Sequence, residues 1–546
     1  MTNLVLGPVL RHVGASDATV WVETDQPCLV EILGHQERTW TVAGHHYALV
    51  AITDLPVGSA TDYDVRLDGN RVWPLPDDPR PAPSIRTIPV DAEIRIAFGS
   101  CRYARADEVA DDPHFEPDAL ACLARDLPRT PVGRWPSALL LLGDQVYADE
   151  TTPETQQRIR QRRDITTGSK EQVADFEEYT WLYAESWTDP DVRWLLSTVP
   201  TSMIFDDHDV RDDWNTSAAW RRDMQATDWW QERVVGALSS YWVYQHLGNL
   251  APDELAADPT YQKVRAAGVD AEPLLRKYAT LADREADGAK GVRWSYRRDL
   301  GPVRLVMIDS RCGRILDAGE RSMIGVAEFE WITEQVAGDY QHLLIGTSMP
   351  WLLARALHDL ESWNEVLADG ARGQLVARWS EWLRRAADLE HWAAFDRSFD
   401  ALGELIAGVA GGAAVGTAPA TVCVLSGDVH HSYVARANLD SGGTSRVYQL
   451  TCSPLHNYVP AFMKLVFRIA WSGVAERLTR VLLTLLGLFA GPRRPRFSWR
   501  RAAGPYFGNG LMTFVAAGRR ADVVLQQTRA GDEPGRLHEV ERLSLS

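Results

Sequence analysis

Positive charge is what this chain lacks most. Its 57 lysines and arginines face 74 aspartates and glutamates, a formal net charge of −17. A nucleic-acid backbone demands a basic surface, so nucleic acid is excluded as a partner. An anionic substrate would need cations gathered locally to hold it. Cysteine is also scarce, with six residues in 546 (Cys28, Cys101, Cys122, Cys312, Cys423, Cys452) and no CxxC spacing. That argues against a disulfide framework and against a cysteine-only zinc site. The opening Met-Thr-Asn-Leu-Val-Leu-Gly-Pro has neither the basic segment nor the long apolar core of an export signal, so a cytoplasmic location is expected. Long apolar runs are missing too. Within 459–491, the stretch that most tempts a membrane reading, the longest clean run is Val481 to Ala490. It reaches about half of the ~20 residues that span a bilayer.

What is present is the composition of a soluble globular protein, 45% hydrophobic and 24% charged. At this length two domains plus insertions are expected. Residues 1–88 read as a small all-β sandwich. Thr19-Val20-Trp21-Val22 and Cys28 to Leu33 are β-rich, and Thr61 to Leu67 alternates with period two. His45-His46 is expected in a loop, and the proline-rich Pro74 to Pro83 reads as a linker. The remainder, 93–546, alternates apolar strands with helical insertions at about 154–195, 215–290, 370–410 and 459–500. Leu511 to Ala516 and Ala521 to Gln526 return to strand character and are expected to complete the second half of a sheet pair.

The organising stretch is Ala138-Leu-Leu-Leu-Leu142 followed by Gly143, Asp144 and, three residues on, Tyr147. A short continuous apolar run bounded by a turn reads as a strand buried on both faces, and ligands gather beyond such strand ends. The pattern recurs. Ile94 to Phe98 runs into Gly99-Ser100-Cys101, and Ser202 to Phe205 into Asp206-Asp207-His208-Asp209. Val303 to Ile308 meets Asp309-Ser310-Arg311, His342 to Ile345 meets Gly346-Thr347-Ser348, and Thr421 to Leu425 meets Ser426-Gly427-Asp428-Val429-His430-His431. Five of these six turns carry a thiol, a carboxylate or an imidazole, which points to a metal site at the strand ends.

Asp144 suits a carboxylate bridging two ions, an arrangement that makes water a nucleophile near neutral pH. Deprotonated Cys101 and Tyr147 with the imidazole of His430 suit a trivalent, iron-like ion. Asp144, Asp207 and Asp428 form an oxygen-rich set for a divalent ion such as calcium, manganese or zinc. His208 is the candidate to protonate a leaving-group oxygen. Each residue alone has a plainer reading: a surface histidine, a small buried thiol, a core tyrosine. Asp309 and Arg311 read as a structural pair, with Arg311 as a phosphate clamp the alternative, and His431 as a neighbour of His430.

Gly143-Asp144-Gln145-Val146-Tyr147-Ala148-Asp149 resembles the second metal block of the calcineurin-like metallophosphoesterases, with the aspartate-to-tyrosine spacing of purple acid phosphatases. Gly99-Ser100-Cys101, Asp206 through Trp214 and Ser426 through His430 together resemble the PhoD-like alkaline phosphatase branch, as does the opening Gly7-Pro8-Val9-Leu10-Arg11. The resemblance implies a four-layer α/β/β/α metallophosphatase sandwich behind an N-terminal immunoglobulin- or fibronectin-like β domain. It implies a metal-dependent hydrolase of phosphate mono- or diesters with an iron–calcium-type dinuclear centre. By position Cys101, Asp144, Tyr147 and His430 would hold the iron-like ion, Asp144, Asp207 and Asp428 the other, and His208 would be catalytic. The superfamily's isolated histidine ligand has no match, and Gly346-Thr347-Ser348 offers a hydroxyl in its place.

In 459–491, Lys464, Arg468, Ser472, Glu476, Arg480 and Thr484 draw a polar stripe on a helix. A helical lid or packing element is the preferred reading. An interfacial helix on a membrane is the next, followed by arginines 493, 494 and 496; an oligomer contact is the third. The rival functions are a phosphodiesterase acting on phospholipid or glycopolymer at a membrane, and a catalytically silent binding protein of the same fold.

Overall fold

The computed structural model describes residues 2–89, 92–104, 116–288, 291–317, 319–413, 416–439, 443–486, 495–531 and 534–546. Its N-terminal region is all-β. One four-stranded sheet has the spatial order Leu4–Val13, Ala18–Thr24, His45–Ile52, Trp40–Val42. A second has the order His35–Arg38, Leu29–Ile32, Val65–Leu67, Asn70–Trp73. Val20, Val22, Val30, Val50 and Trp73 meet in one apolar cluster between them, as alternation along a strand requires. The other face of the first sheet is also covered, so Ala18–Thr24 is buried at every position. Trp21 lies 6.0 Å from the Trp187 ring and 5.2 Å from that of Tyr244. Arg11, 1% exposed, donates to the carbonyls of Tyr244 and Gln245. The β region is therefore fastened to the helices that follow.

His45 and His46 open the strand His45–Ile52 rather than lying in a loop. The reason is a latch formed across the same contact. His45 Nδ1 lies 3.0 Å from Glu23 and Nε2 lies 2.8 Å from Glu177, on the helix Phe176–Trp187. Burial pulls the His45 pKa down, but the bonds to Glu177 and Glu23 overcome it and lift it to about 9. A pKa raised on folding stabilises fully below the unfolded value of about 6.5. That stability is lost as pH rises through about 9. His45→Gln is accordingly expected to lower the urea-unfolding stability on the order of 1–2 kcal/mol at pH about 6, with the gap closing by pH about 10.

The rest of the chain is built on two facing sheets. The first has the order Thr201–Ile204, Ala138–Leu142, Ile94–Gly99, Gly510–Ala517, Arg520–Gln527, His538–Ser544. The second has the order Tyr296–Leu300, Val303–Met307, His342–Gly346, Thr421–Ser426, Arg446–Thr451, Ser432–Asn438, Ser498–Tyr506. Leu344, Cys423 and Leu425 point into the core shared with Phe98, Leu140 and Phe514 of the first sheet. Leu343, Ile345, Val422 and Val424 point the other way, against helix residues Ile332, Leu402 and Ile406. Burial on both faces is why these strands read as unbroken apolar runs. Helices outside both sheets complete four layers.

The strands Gly510–Ala517 and Arg520–Gln527 do not join the second sheet. They extend the first, with Ile94 opposite Ala516 and Phe98 opposite Met512. Without them the apolar strand Ile94–Gly99 would be an open edge. The segment read as helical over 459–500 is helical over Ala461–Ala470 and Gly473–Leu486, and from Ser498 it is strand. Residues 487–494, including Arg493 and Arg494, lie outside the described residues. Among the described residues, no helix is long and apolar enough to cross a membrane.

Candidate metal centre

Ile94–Gly99, Ala138–Leu142 and Thr201–Ile204 run parallel in one sheet. Val303–Met307, His342–Gly346 and Thr421–Ser426 do the same in the other. Their carboxyl ends converge on one edge of the molecule, where the turns of the two sheets are tied together. The Cys101 amide donates to the Gly143 carbonyl at 3.2 Å, and the Asp428 amide donates to the Ser100 hydroxyl at 3.0 Å. This closeness requires glycine. A Cβ on Gly143 would sit 2.5 Å from Asp206 Cβ, and one on Gly427 would sit 2.0 Å from Ser100 Oγ.

Four candidate ligands occupy the left-handed backbone region: Cys101 at φ 56°, Asp144 at 52°, Asp428 at 70° and His430 at 47°. Such conformations are costly for residues with a Cβ and persist only where the surroundings impose them. Asp209 helps to impose them. Its carboxylate accepts the amides of Asp144 and Asp206, each at 2.9 Å, and so joins two strand ends. Burial lifts its pKa to about 7.

Acceptor atoms of Asp144, Asp206 and Asp207 all lie within 4.8 Å of one another. Asp144 Oδ1 and Asp206 Oδ2 are buried without a hydrogen-bond partner. Burial, reinforced by Asp206, Asp207 and Asp209 and opposed by His208, pushes the Asp144 carboxyl far above its usual range. Burial and then Asp144 and Asp428 likewise raise the Cys101 thiol. Burial, Asp144 and Cys101 raise the Tyr147 phenol. Thiol, phenol and crowded carboxylates each resist ionising beside the others. A cation among them would oppose these shifts, because it favours the ionised forms.

Tyr147 is buried, and its hydroxyl accepts a bond from Asn457 at 3.0 Å. His430 is driven down to about 4, chiefly by burial, so it is a neutral imidazole able to coordinate. His208 sits at the rim. Its Nδ1 is 2.9 Å from Asp149 and its ring lies 4.8 Å from that of Tyr147. Burial opposes its charge, but Asp149, Asp207 and Asp144 outweigh burial and raise its pKa well above the ordinary value.

Arg311 departs from both of its sequence readings. It does not pair with Asp309, whose carboxylate instead accepts the amides of Arg311, Cys312 and Gly313. Its guanidinium binds Asp206, lies 3.0 Å from Asp207 and 2.6 Å from Glu390, and has no exposed surface. It neutralises the carboxylates from below and cannot clamp a substrate. The Thr347 and Ser348 hydroxyls are engaged by Ser310 instead, while the Ser348 carbonyl accepts the Gly427 amide at 2.8 Å.

A histidine from elsewhere does reach these strand ends, with both ring nitrogens engaged by carboxylates. His391 Nε2 lies 3.0 Å from Asp428 and Nδ1 lies 2.7 Å from Glu361. Burial alone would raise the Asp428 carboxyl, yet His391 and Arg311 hold it down at about 2. His391 follows the helix Gln374–Ala386 in an irregular segment, so strand periodicity offered no signal for it. Asp206, Asp149 and Glu390 were missed as well. The first two stood inside blocks already singled out, where acidic residues in a row could not be told apart without their partners.

The chain matches the family model described as PhoD-like phosphatase over residues 129–464. That range is more than half of the chain and contains every candidate site residue except Cys101. Residues 1–85 match a domain of unknown function. No curated protein matches the chain in sequence. Among solved structures, one of PhoD aligns over 99% of this chain and 92% of its own, at TM-score 0.58 and 10% identity. A purple acid phosphatase, PPD1 from seeds of yellow lupin (Lupinus luteus), aligns over 98% and 74% at TM-score 0.48 and 12% identity. At such identity these likenesses concern the fold. The family match across most of the α/β region settles kinship: the chain belongs to the PhoD-like phosphatase family.

Proposed function

We propose that this protein hydrolyses phosphate esters at a dinuclear metal centre that Asp144 would help to hold. The observation that carries the reading is the buried triad Asp144, Asp206 and Asp207, whose acceptor atoms cluster within 4.8 Å and which has one oxygen on each residue without a hydrogen bond. The donor set fits two unlike ions. Cys101, Asp144, Tyr147 and His430 would hold a trivalent, iron-like ion. Asp144, Asp207 and Asp428 would hold a divalent one, calcium, manganese or zinc. When bound, the pair polarises phosphoryl oxygens and makes water nucleophilic near neutral pH.

The remaining steps belong to the protein. With Nδ1 bonded to Asp149, His208 leaves Nε2 4.0 Å from the Asp212 carboxylate, and the bond to Asp149 favours its protonated form. As water attacks phosphorus and the ester P–O bond breaks, His208 gives its proton to the departing alcohol oxygen. Arg311 offsets the charge of Asp206 and Asp207 without touching substrate. Glu361 orients His391, and His391 orients Asp428.

Metal analysis of the purified protein, paired with hydrolysis of p-nitrophenyl phosphate and bis(p-nitrophenyl) phosphate, tests the reading. About one iron per chain, a tyrosinate–iron colour and turnover of either ester are expected. A colourless, metal-free protein that stays inert after reconstitution with iron and a divalent ion would overturn it.

A further inference from the structure

The helical pair Ala461–Ala470 and Gly473–Leu486 is mounted inside out. A helix on a water-soluble surface turns its apolar stripe to the core and its polar stripe to solvent. Here the Glu476 and Arg480 end of the polar stripe faces the protein. Glu476 reaches Arg355 at 3.4 Å, and Arg480 forks onto the fully buried Asp359 at 2.7 and 3.0 Å. Both partners belong to the helix Arg355–Ala368. Ala470 and Leu483 pack inward, but most of the large apolar residues look outward. Phe462, Leu465 and Ile469 are 67, 58 and 53% exposed, and Leu478, Leu482 and Leu485 are 65, 55 and 64% exposed. The helix Gln374–Ala386, packed on the same Arg355–Ala368 helix, adds Trp379 and Trp382 at 50 and 62% exposure. Scattered exposed hydrophobes are ordinary, but a concentration of this kind marks an interaction surface.

Charge identifies the occupant. Residues 459–501 carry nine lysines and arginines against the single Glu476 in a chain whose total charge is −17; Arg480 and Arg496 are paired with carboxylates, while Arg468, Arg477, Arg500 and Arg501 are exposed. Apolar and aromatic side chains on an outward helix face, set among basic residues, match a bilayer interface with anionic headgroups. A second copy of the same surface would bring like charge against like and repel. The patch also borders the metal centre. Phe467 stacks on His431, next to His430, with ring centroids 4.4 Å apart, and Arg468 lies 5.2 Å from the Phe507 ring.

We propose that this helical pair, with the adjoining Trp379 and Trp382, docks the protein on an anionic lipid bilayer and presents the metal centre to phosphate esters at that surface. Docking stands on its own; the choice of substrate rests on the phosphoesterase reading. Co-sedimentation of the full chain with vesicles of phosphatidylcholine, alone or mixed with phosphatidylglycerol, tests it. Binding to the anionic vesicles is expected, weakened by salt and weaker on the neutral ones. Leu478→Ser/Leu482→Ser is expected to cut partitioning by about tenfold or more. Both positions are more than half exposed, so folding should be unaffected. Arg500→Glu/Arg501→Glu should weaken the anionic preference. A folded wild-type protein that ignores anionic vesicles, or binds neutral ones equally well, would overturn the proposal. So would a dimer dissolved by the same leucine substitutions without vesicle binding. Because sedimentation reads no turnover, a protein that docks but hydrolyses nothing would refute only the phosphoesterase reading.

Discussion

Asp144→Asn is expected to lose bound metal and to lower turnover by about 10³-fold or more, while making the metal-free protein more stable. The two effects have one cause. Asp144 stands beside Asp206, Asp207 and Asp209, and burial with those neighbours raises its pKa far above the usual range. A carboxyl whose folded pKa is raised costs stability when it is ionised at neutral pH. Asparagine keeps the shape and removes the charge, and it tolerates the left-handed φ of 52° at this position better than most residues. The centre therefore holds a repulsion that only a cation relieves, the trade between stability and function found at many active sites. Metal content, the visible spectrum and the thermal midpoint in chelator measure the three parts. A variant that keeps its metal and its activity would remove Asp144 from the bridging role. One that is destabilised without metal would contradict the electrostatic account.

His208→Gln should retain metal yet lose about 10²- to 10⁴-fold in kcat on alkyl phosphates. The loss should shrink sharply for p-nitrophenyl phosphate, whose leaving group departs without a proton. This dependence separates proton donation from simple binding. His208 is 19% exposed in its side chain, more open than Asp207 at 6%, as a group meeting substrate from the solvent side should be. Rates across a series of leaving groups of rising pKa provide the measurement. An equal loss throughout the series would mean that His208 holds phosphate or orients the site rather than supplying the proton.

Much of the centre was legible in the chain because strand ends are local features. A buried parallel strand announces itself as an apolar run, and the residues after Leu142 or Ser426 must then lie at the sheet edge. That logic put Cys101, Asp144, Tyr147, Asp207, His208, Asp428 and His430 forward as candidates for one rim. It failed for His391, which approaches Asp428 from an irregular segment far from the strand that precedes it. It failed for Arg311, whose nearest carboxylate in sequence, Asp309, is occupied with backbone amides.

By itself the sequence determined the elements and their chemistry: two sets of parallel strands, glycines where the turns touch, and ligand-type side chains at one end. Periodicity and residue type suffice for these because each depends on a few neighbouring positions. Tertiary structure alone decided which charges meet. It put the Arg311 guanidinium beneath Asp206, Asp207 and Glu390, and set His45 between Glu23 and Glu177. It also turned Glu476 and Arg480 of the polar stripe inward onto Arg355 and Asp359. A helical stripe records that two faces differ. Which face meets the protein depends on the partners waiting there, and those lie more than a hundred residues away in the chain.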